Sequence, residues 1–163
     1  MSKKLQDALK SLGKRGVDTF PAKVVSVNKE KGTIVINDGE LTYTDVALSA
    51  TVEDGGKRFF LFPKVESYVF VSPVQEDIHR LYVEFFSEVE ELDFRTEETQ
   101  LKVNDTGFLL KKENETLKKL MEDLITAIRN MVFQTNTGIT IQLLTDLQFE
   151  ALKIRFNNFL KDS

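Results

Sequence analysis

The sequence predicts a β-rich α+β protein: a short N-terminal helix, a small antiparallel β-barrel or sandwich, a short β-hairpin and two C-terminal α-helices. Three observations predict it. From Pro21 to about Leu110 the residues form short β-branched or aromatic runs separated by turn formers. No helical pattern lies between those runs, so the strands must pair with one another. Beyond Asn114 the apolar spacing changes to that of helices.

At the N-terminus, Leu5, Ala8, Leu9 and Leu12 fall at i, i+3, i+4 and i+7, one stripe of a short helix that Gly13 and Gly16 end. Five basic residues (Lys3, Lys4, Lys10, Lys14, Arg15) stand there against Asp7 alone. A helix this short is marginal in water, so its Leu5, Leu9 and Leu12 stripe must dock on its own domain or on a partner. Ala22–Val27 and Thr33–Ile36, joined by a polar segment ending in Gly32, read as a hairpin. Asn37-Asp38-Gly39 marks the next turn, and Asp54-Gly55-Gly56 ends the loosely alternating stretch after Leu41. Phe59–Phe62, Tyr68–Val71 and Leu81–Phe86 are further strands, bounded by Pro63, by Ser72-Pro73 and by polar loops.

Between Glu84 and Glu98, seven acids stand against Arg95 alone. The interleaved Val89, Leu92 and Phe94 make this an exposed strand edge or linker, its carboxylates discouraging edge pairing. A hairpin then turns at Asn104-Asp105-Thr106-Gly107. Asn114 is the expected N-cap of the first C-terminal helix, with Glu115 in its first turn. Leu117, Leu120, Met121, Leu124, Ile125, Ile128, Met131 and Val132 form a band wider than the roughly 100° that docking on one surface requires. Such a helix is wedged between two surfaces. A loop follows at Thr135–Gly138. The last helix opens at Thr145 with Gln148 in capping-box spacing and Leu144 and Phe149 as a hydrophobic staple. Its stripe is Phe149, Leu152, Phe156, Phe159 and Leu160.

Composition narrows the chemistry. The chain has 163 residues, enough for a real core, and a net charge of −4, against a protein devoted to neutralising phosphates. Without Cys and with His79 as the single imidazole, thiolate metal sites, cysteine nucleophiles and most Ser-His triads are excluded. No apolar run spans a membrane and the N-terminus is too polar for a signal peptide, so the expected compartment is reducing and aqueous. Asp54–Arg58 lacks a phosphate-loop fingerprint and reads as a hairpin turn. No Asp-x-Asp-x-Asx-Gly loop accompanies the acids, so no metal is expected. No catalytic, cofactor-binding or metal-binding residue is assigned. A single-stranded nucleic-acid-binding barrel remains the alternative, but the aromatic runs lack the interleaved Lys and Arg of a stacking platform. A carboxylate-based sugar hydrolase would need a pair about 5–10 Å apart across a cleft.

The run Phe20–Ile36 resembles the first hairpin of the OB-like domain in phage tail spike and baseplate hub proteins. Phe62-Pro63-Lys64-Val65-Glu66-Ser67-Tyr68-Val69-Phe70-Val71 is similar to a second segment of that family, except that Glu66 stands where the family often has glycine. The Leu81–Ser87 strand, the hairpin around Asn104–Phe108, a helix from Thr116, a Thr-Gly loop and a Phe-rich terminal helix follow in the same order. The resemblance spans about residues 20–160. It implies an N-terminal docking helix (1–16), an OB-like barrel (17–98) and a hairpin with two helices (99–163). It also implies a non-enzymatic structural subunit of a phage or prophage tail tip or baseplate, found in the virion and, during assembly, in the host cytoplasm. Members are typically homotrimers around the tail axis. On that analogy Leu117, Leu120, Met121, Leu124, Ile128 and Met131 are the expected oligomer interface, the alternative being that they pack against this chain's own barrel and terminal helix. Leu5, Leu9 and Leu12 would dock on other tail-tip, baseplate or tube proteins. No cofactor, membrane or nucleic-acid partner is implied.

Overall fold

In the computed structural model, which describes residues 18–50, 57–132, 134–139 and 145–162, the chain divides into two units, 1–52 with 62–89 and 53–61 with 90–163. The expected N-terminal helix, the Asp54–Gly56 turn and Leu144 lie outside the described residues.

The first unit is a closed five-stranded barrel. Its strands are β1 (Phe20–Asn28), β2 (Thr33–Asn37), β3 (Thr42–Ala47), β5 (Tyr68–Val74) and β6 (Asp77–Phe86), in the order β1-β2-β3-β6-β5. All neighbours are antiparallel except β3 and β6, which meet in parallel at Ala47 and Tyr82. That is an OB-like arrangement. Alternation sends Ala22, Val24, Ile34, Ile36, Val46, Val69, Val71, Leu81 and Val83 inward, and all are buried. Register shifts at Val24/Ser26, Ile34/Ile36 and Phe70/Val71 are bulges, which coil short strands enough to close a barrel.

The turns follow side-chain chemistry. Asn28 Oδ1 accepts from the Glu30 and Lys31 amides, and Asp38 Oδ1 accepts from those of Glu40 and Leu41. Glu66 sits at φ 72° in the left-handed conformation that glycine adopts without strain. Its carboxylate pairs with Lys23. β5 does not stop at Ser72-Pro73, as the sequence suggested. It runs through Pro73, opposite Leu81, where a register shift follows directly.

The second unit holds a five-stranded sheet in the order β10-β9-β8-β7-β4: β4 (Arg58–Pro63), β7 (Val89–Arg95), β8 (Thr99–Asn104), β9 (Gly107–Lys112) and β10 (Glu115–Thr116). β4 belongs to it through Leu61. Helix α1 spans Leu117–Arg129 and α2 spans Asp146–Phe159; between them Gln134–Thr135 (β11) and Gly138–Ile139 (β12) form a small hairpin around the expected Thr-Gly loop.

Three local expectations are corrected. Asn114 does not cap α1: the cap is Thr116, whose hydroxyl accepts from the Lys119 amide at 3.2 Å, and Glu115 lies in β10, not in the first turn. Thr145 does precede α2, but it makes no side-chain capping bond; its backbone is bent (φ −98°, ψ 15°) rather than extended. The acidic stretch is neither an exposed edge nor a linker. Much of it is β7, an interior strand between β4 and β8, and its Glu91 and Asp93 are buried.

Candidate functional site

His79 lies exposed on β6, and its amide donates to Asp77 Oδ1 at 2.9 Å. Among the described residues no group of three His, Asp or Glu side chains could hold a metal ion. A groove of about 790 Å³ runs along the barrel beside Lys31, Asp45, Leu48, His79, Arg80 and Tyr82. Its cations share it with Asp45.

The features that stand out are surfaces. On α1, Thr116 fixes the start and an amphipathic sequence does the rest. Ile125 is the only buried residue of the helix, while Leu117, Met121 and Ile128 are half-buried. The other flank of the apolar band is uncovered: Leu120 is 50% and Leu124 51% exposed, and Met131, just past the helix, is exposed as well. Of the two surfaces that the band's width called for, this chain's described residues supply one. Leu120, Leu124 and Met131 follow one another at about helical spacing along that bare flank. Leu5, Leu9 and Leu12 lie outside the described residues.

The end of α1 is clamped to the start of α2. The Arg129 guanidinium donates to both Asp146 oxygens, at 2.6 and 3.1 Å, and pairs with Glu150. These acids hold the guanidinium's pKa above its ordinary value, the hydrogen bond to Asp146 contributing most. The geometry also suits both helix dipoles: a cation in the last turn of α1, a carboxylate in the first turn of α2. At its far end α2 delivers Phe159 onto Phe108, rings stacked at 4.8 Å, and Leu160 into a buried bridge beside β9.

The sheet of the second unit has two unlike faces. Cross-strand partners share a face. On one face, Asp93 (2% exposed) takes Arg58 Nε and Nη2 at 3.0 and 2.6 Å on one oxygen and Gln100 Nε2 at 2.7 Å on the other. Beside it, Glu91 pairs with Lys102 at 3.2 Å and accepts from Asn104 at 2.8 Å. Burial alone would push the Asp93 carboxyl up. The Gln100 hydrogen bond and the Arg58 and Arg95 guanidiniums outweigh it and hold the group below the usual carboxylate range.

On the opposite face, Phe94, Leu101 and Leu110 are in register across β7, β8 and β9, and so are Leu92, Val103 and Phe108. Phe59 on β4 meets Phe94 edge-on at 6.2 Å. Phe59 is 54%, Phe94 42% and Leu110 45% exposed. Sequence reasoning did not single out this face. The signal was the alternation Leu92/Phe94, Leu101/Val103 and Phe108/Leu110, obscured by the acids between its members.

The chain matches no protein-family model, no curated protein and no solved structure.

Proposed function

We propose that this chain is a non-enzymatic structural subunit of a phage or prophage tail tip or baseplate, an OB-like connector that assembles as a homotrimer about the tail axis. The observation that carries the self-association is the bare flank of α1. Leu120, Leu124 and Met131, each about half exposed, form an apolar stripe at coiled-coil-like spacing. Sister copies packed about one axis would cover it. The place in a tail rests on the serial resemblance of residues 20–160 to tail spike and hub proteins, and the OB-like barrel is compatible with it. Other tail-tip, baseplate or tube proteins are the further partners, and the virion is the destination.

Light scattering on the purified full chain at micromolar concentration tests the first half. The expected mass is three times that of the 18.7 kDa chain; a monomer refutes it. Antibody labelling at the tips of tail particles tests the second half, and label confined to other structures refutes it. Single-strand binding along the barrel groove is the competing reading, favoured by Lys31, His79, Arg80 and Tyr82 lining one channel. It requires tight, salt-sensitive oligonucleotide binding. The net charge of −4 weighs against it.

A further inference from the structure

We propose that the outer face of the barrel's β1–β5–β6 wall is the docking surface of this chain's own N-terminal segment, residues 1–17. The segment lays its leucine stripe on an aromatic row there and its basic residues against an acidic pocket beside it. The proposal goes beyond the assembly reading and does not rest on it, because the contact is made within one chain. Leu5, Leu9 and Leu12 are then used internally, where the resemblance to tail proteins implies a separate partner.

Register fixes the row. Pro21 pairs with Phe70 and Phe70 with Phe85, so the three stand side by side across β1, β5 and β6. Their strand neighbours Ala22, Val69 and Val71 are buried in the core, and alternation turns the row outward. Phe70, Phe85 and Tyr68, the next outward residue of β5, are between 49 and 65% exposed. At about 200 Å² for a whole aromatic side chain, these three leave roughly 350 Å² of apolar surface open. Patches of that size on monomers are often functional. One border of the row is acidic. Asp18, Glu76 and Glu84 line a pocket of about 360 Å³ with Thr19, Ser72 and Tyr82, and no basic residue lines it. The Thr19 and Ser72 hydroxyls bond each other at 2.5 Å, which ties the entry into β1 to this pocket. At the opposite border stands Lys23, already paired with Glu66.

Three features select residues 1–17 as the occupant. The first is charge. The segment has five basic residues against Asp7 and carries +4, so residues 18–163 carry −8. The second is position. Asp18 itself lines the pocket, and at about 3.4 Å per extended residue Arg15 and Lys14 start within about 10 and 14 Å of it. The third is size. From Leu5 to Leu12 a helix advances about 10 Å. Three strands spaced about 4.8 Å apart span about 10 Å as well, so the stripe and the row match in length. Gly13 and Gly16 permit the reversal that lays the stripe back over β1. A link this short holds the segment at an effective concentration of the order of millimolar, so its own face is occupied before that of an unlinked partner.

The chain contains no tryptophan, so Leu9→Trp gives the full-length protein a single indole in the middle of the stripe. Its emission is expected to be blue-shifted, and acrylamide to quench it at least threefold less than in a free peptide of residues 1–17. Phe70→Ser with Phe85→Ser, checked by far-UV circular dichroism, is expected to return quenching to the peptide's level. Should that pair fail to fold, Lys14→Glu with Arg15→Glu decides in its place, with at least a twofold rise in quenching expected. An indole as accessible as in the peptide overturns the proposal, and so does protection that survives the deciding variant. Leu124→Glu, on the α1 stripe, separates this proposal from the assembly reading. Sedimentation then reports whether copies dissociate, and quenching is expected to stay unchanged. Protection that disappears together with the assembly places the segment on a neighbouring copy and overturns docking within the chain. A monomeric parent with a protected indole overturns the trimer and upholds this proposal.

Discussion

Replacing Asp93 by Asn keeps the shape of the side chain and removes its charge. In the native sheet this carboxylate is almost fully buried and receives two hydrogen bonds from Arg58 and one from Gln100. Hydrogen bonds to charged groups contribute about 1.5–3 kcal/mol. Breaking a fully buried ion pair costs about 3–5 kcal/mol. Arg58 is one-quarter exposed and can recover some hydration, so the loss falls toward the lower figures. Asp93→Asn should cost about 2 kcal/mol and Asp93→Ala about 3 kcal/mol at pH 7. Urea unfolding monitored by circular dichroism measures both. The dependence on acid follows from the direction of the pKa. The folded carboxyl titrates below the unfolded one, whose ordinary value is about 3.9. Its stabilisation is therefore whole above that value and disappears as the pH falls through the lower, folded one. The gap between parent and Asp93→Asn should thus be constant from pH 7 to about 5 and close below the ordinary carboxylate value. A gap under about 0.5 kcal/mol at pH 7, no larger than an ordinary surface substitution, would refute the reasoning. So would a gap that stays unchanged in acid.

Four further outcomes are expected. Gly107→Ala places a Cβ 2.7 Å from the Phe159 carbonyl oxygen at φ 131°, so it should cost about 2–3 kcal/mol in thermal unfolding and raise amide exchange at Lys161. Arg129→Ala removes the clamp between α1 and α2, and helix-specific hydrogen exchange should speed up in both helices while the barrel amides are unchanged. Thr116→Ala should lower stability by about 1 kcal/mol in urea, because the Lys119 amide loses its acceptor. Gln75 and Glu76 both take positive φ (55° and 65°) in the two-residue β5–β6 turn. Asn-Gly in their place should raise stability by about 1–2 kcal/mol, seen as an increase in Tm.

Much of this fold was legible because its signals are local. The Asn28–Gly32 and Asn37–Gly39 turns use residues whose side chains bond their own backbone, and the β1–β2 hairpin lies where those residues put it. The Asn104–Gly107 turn was equally plain. What stayed hidden depends on distant partners. Gln75-Glu76 carries no turn signature, so the β5–β6 hairpin was visible only as two strands and a loop. Asp93 looked like one acid among seven because its partners, Gln100 and Arg58, are 7 and 35 residues away. Charge pattern reports how many carboxylates a stretch holds, not which of them a neighbouring strand will neutralise. The α1 band was readable as too wide for one surface, since helical geometry converts spacing directly into angle. The apolar sheet face was not, because its members lie on four strands whose register no single segment specifies.

The barrel is stitched unevenly. Four of its seams are antiparallel ladders of several residues, whereas the fifth, between β3 and β6, shows among the described residues one parallel pairing, Ala47 with Tyr82. A cylinder held this way should breathe at that slit first, with β2 and β3 swinging out as one flap while β1, β5 and β6 remain zipped. The slit runs along the groove bordered by Lys31, His79 and Arg80, so any molecule lodged there would act as a button, closing the flap and slowing its opening.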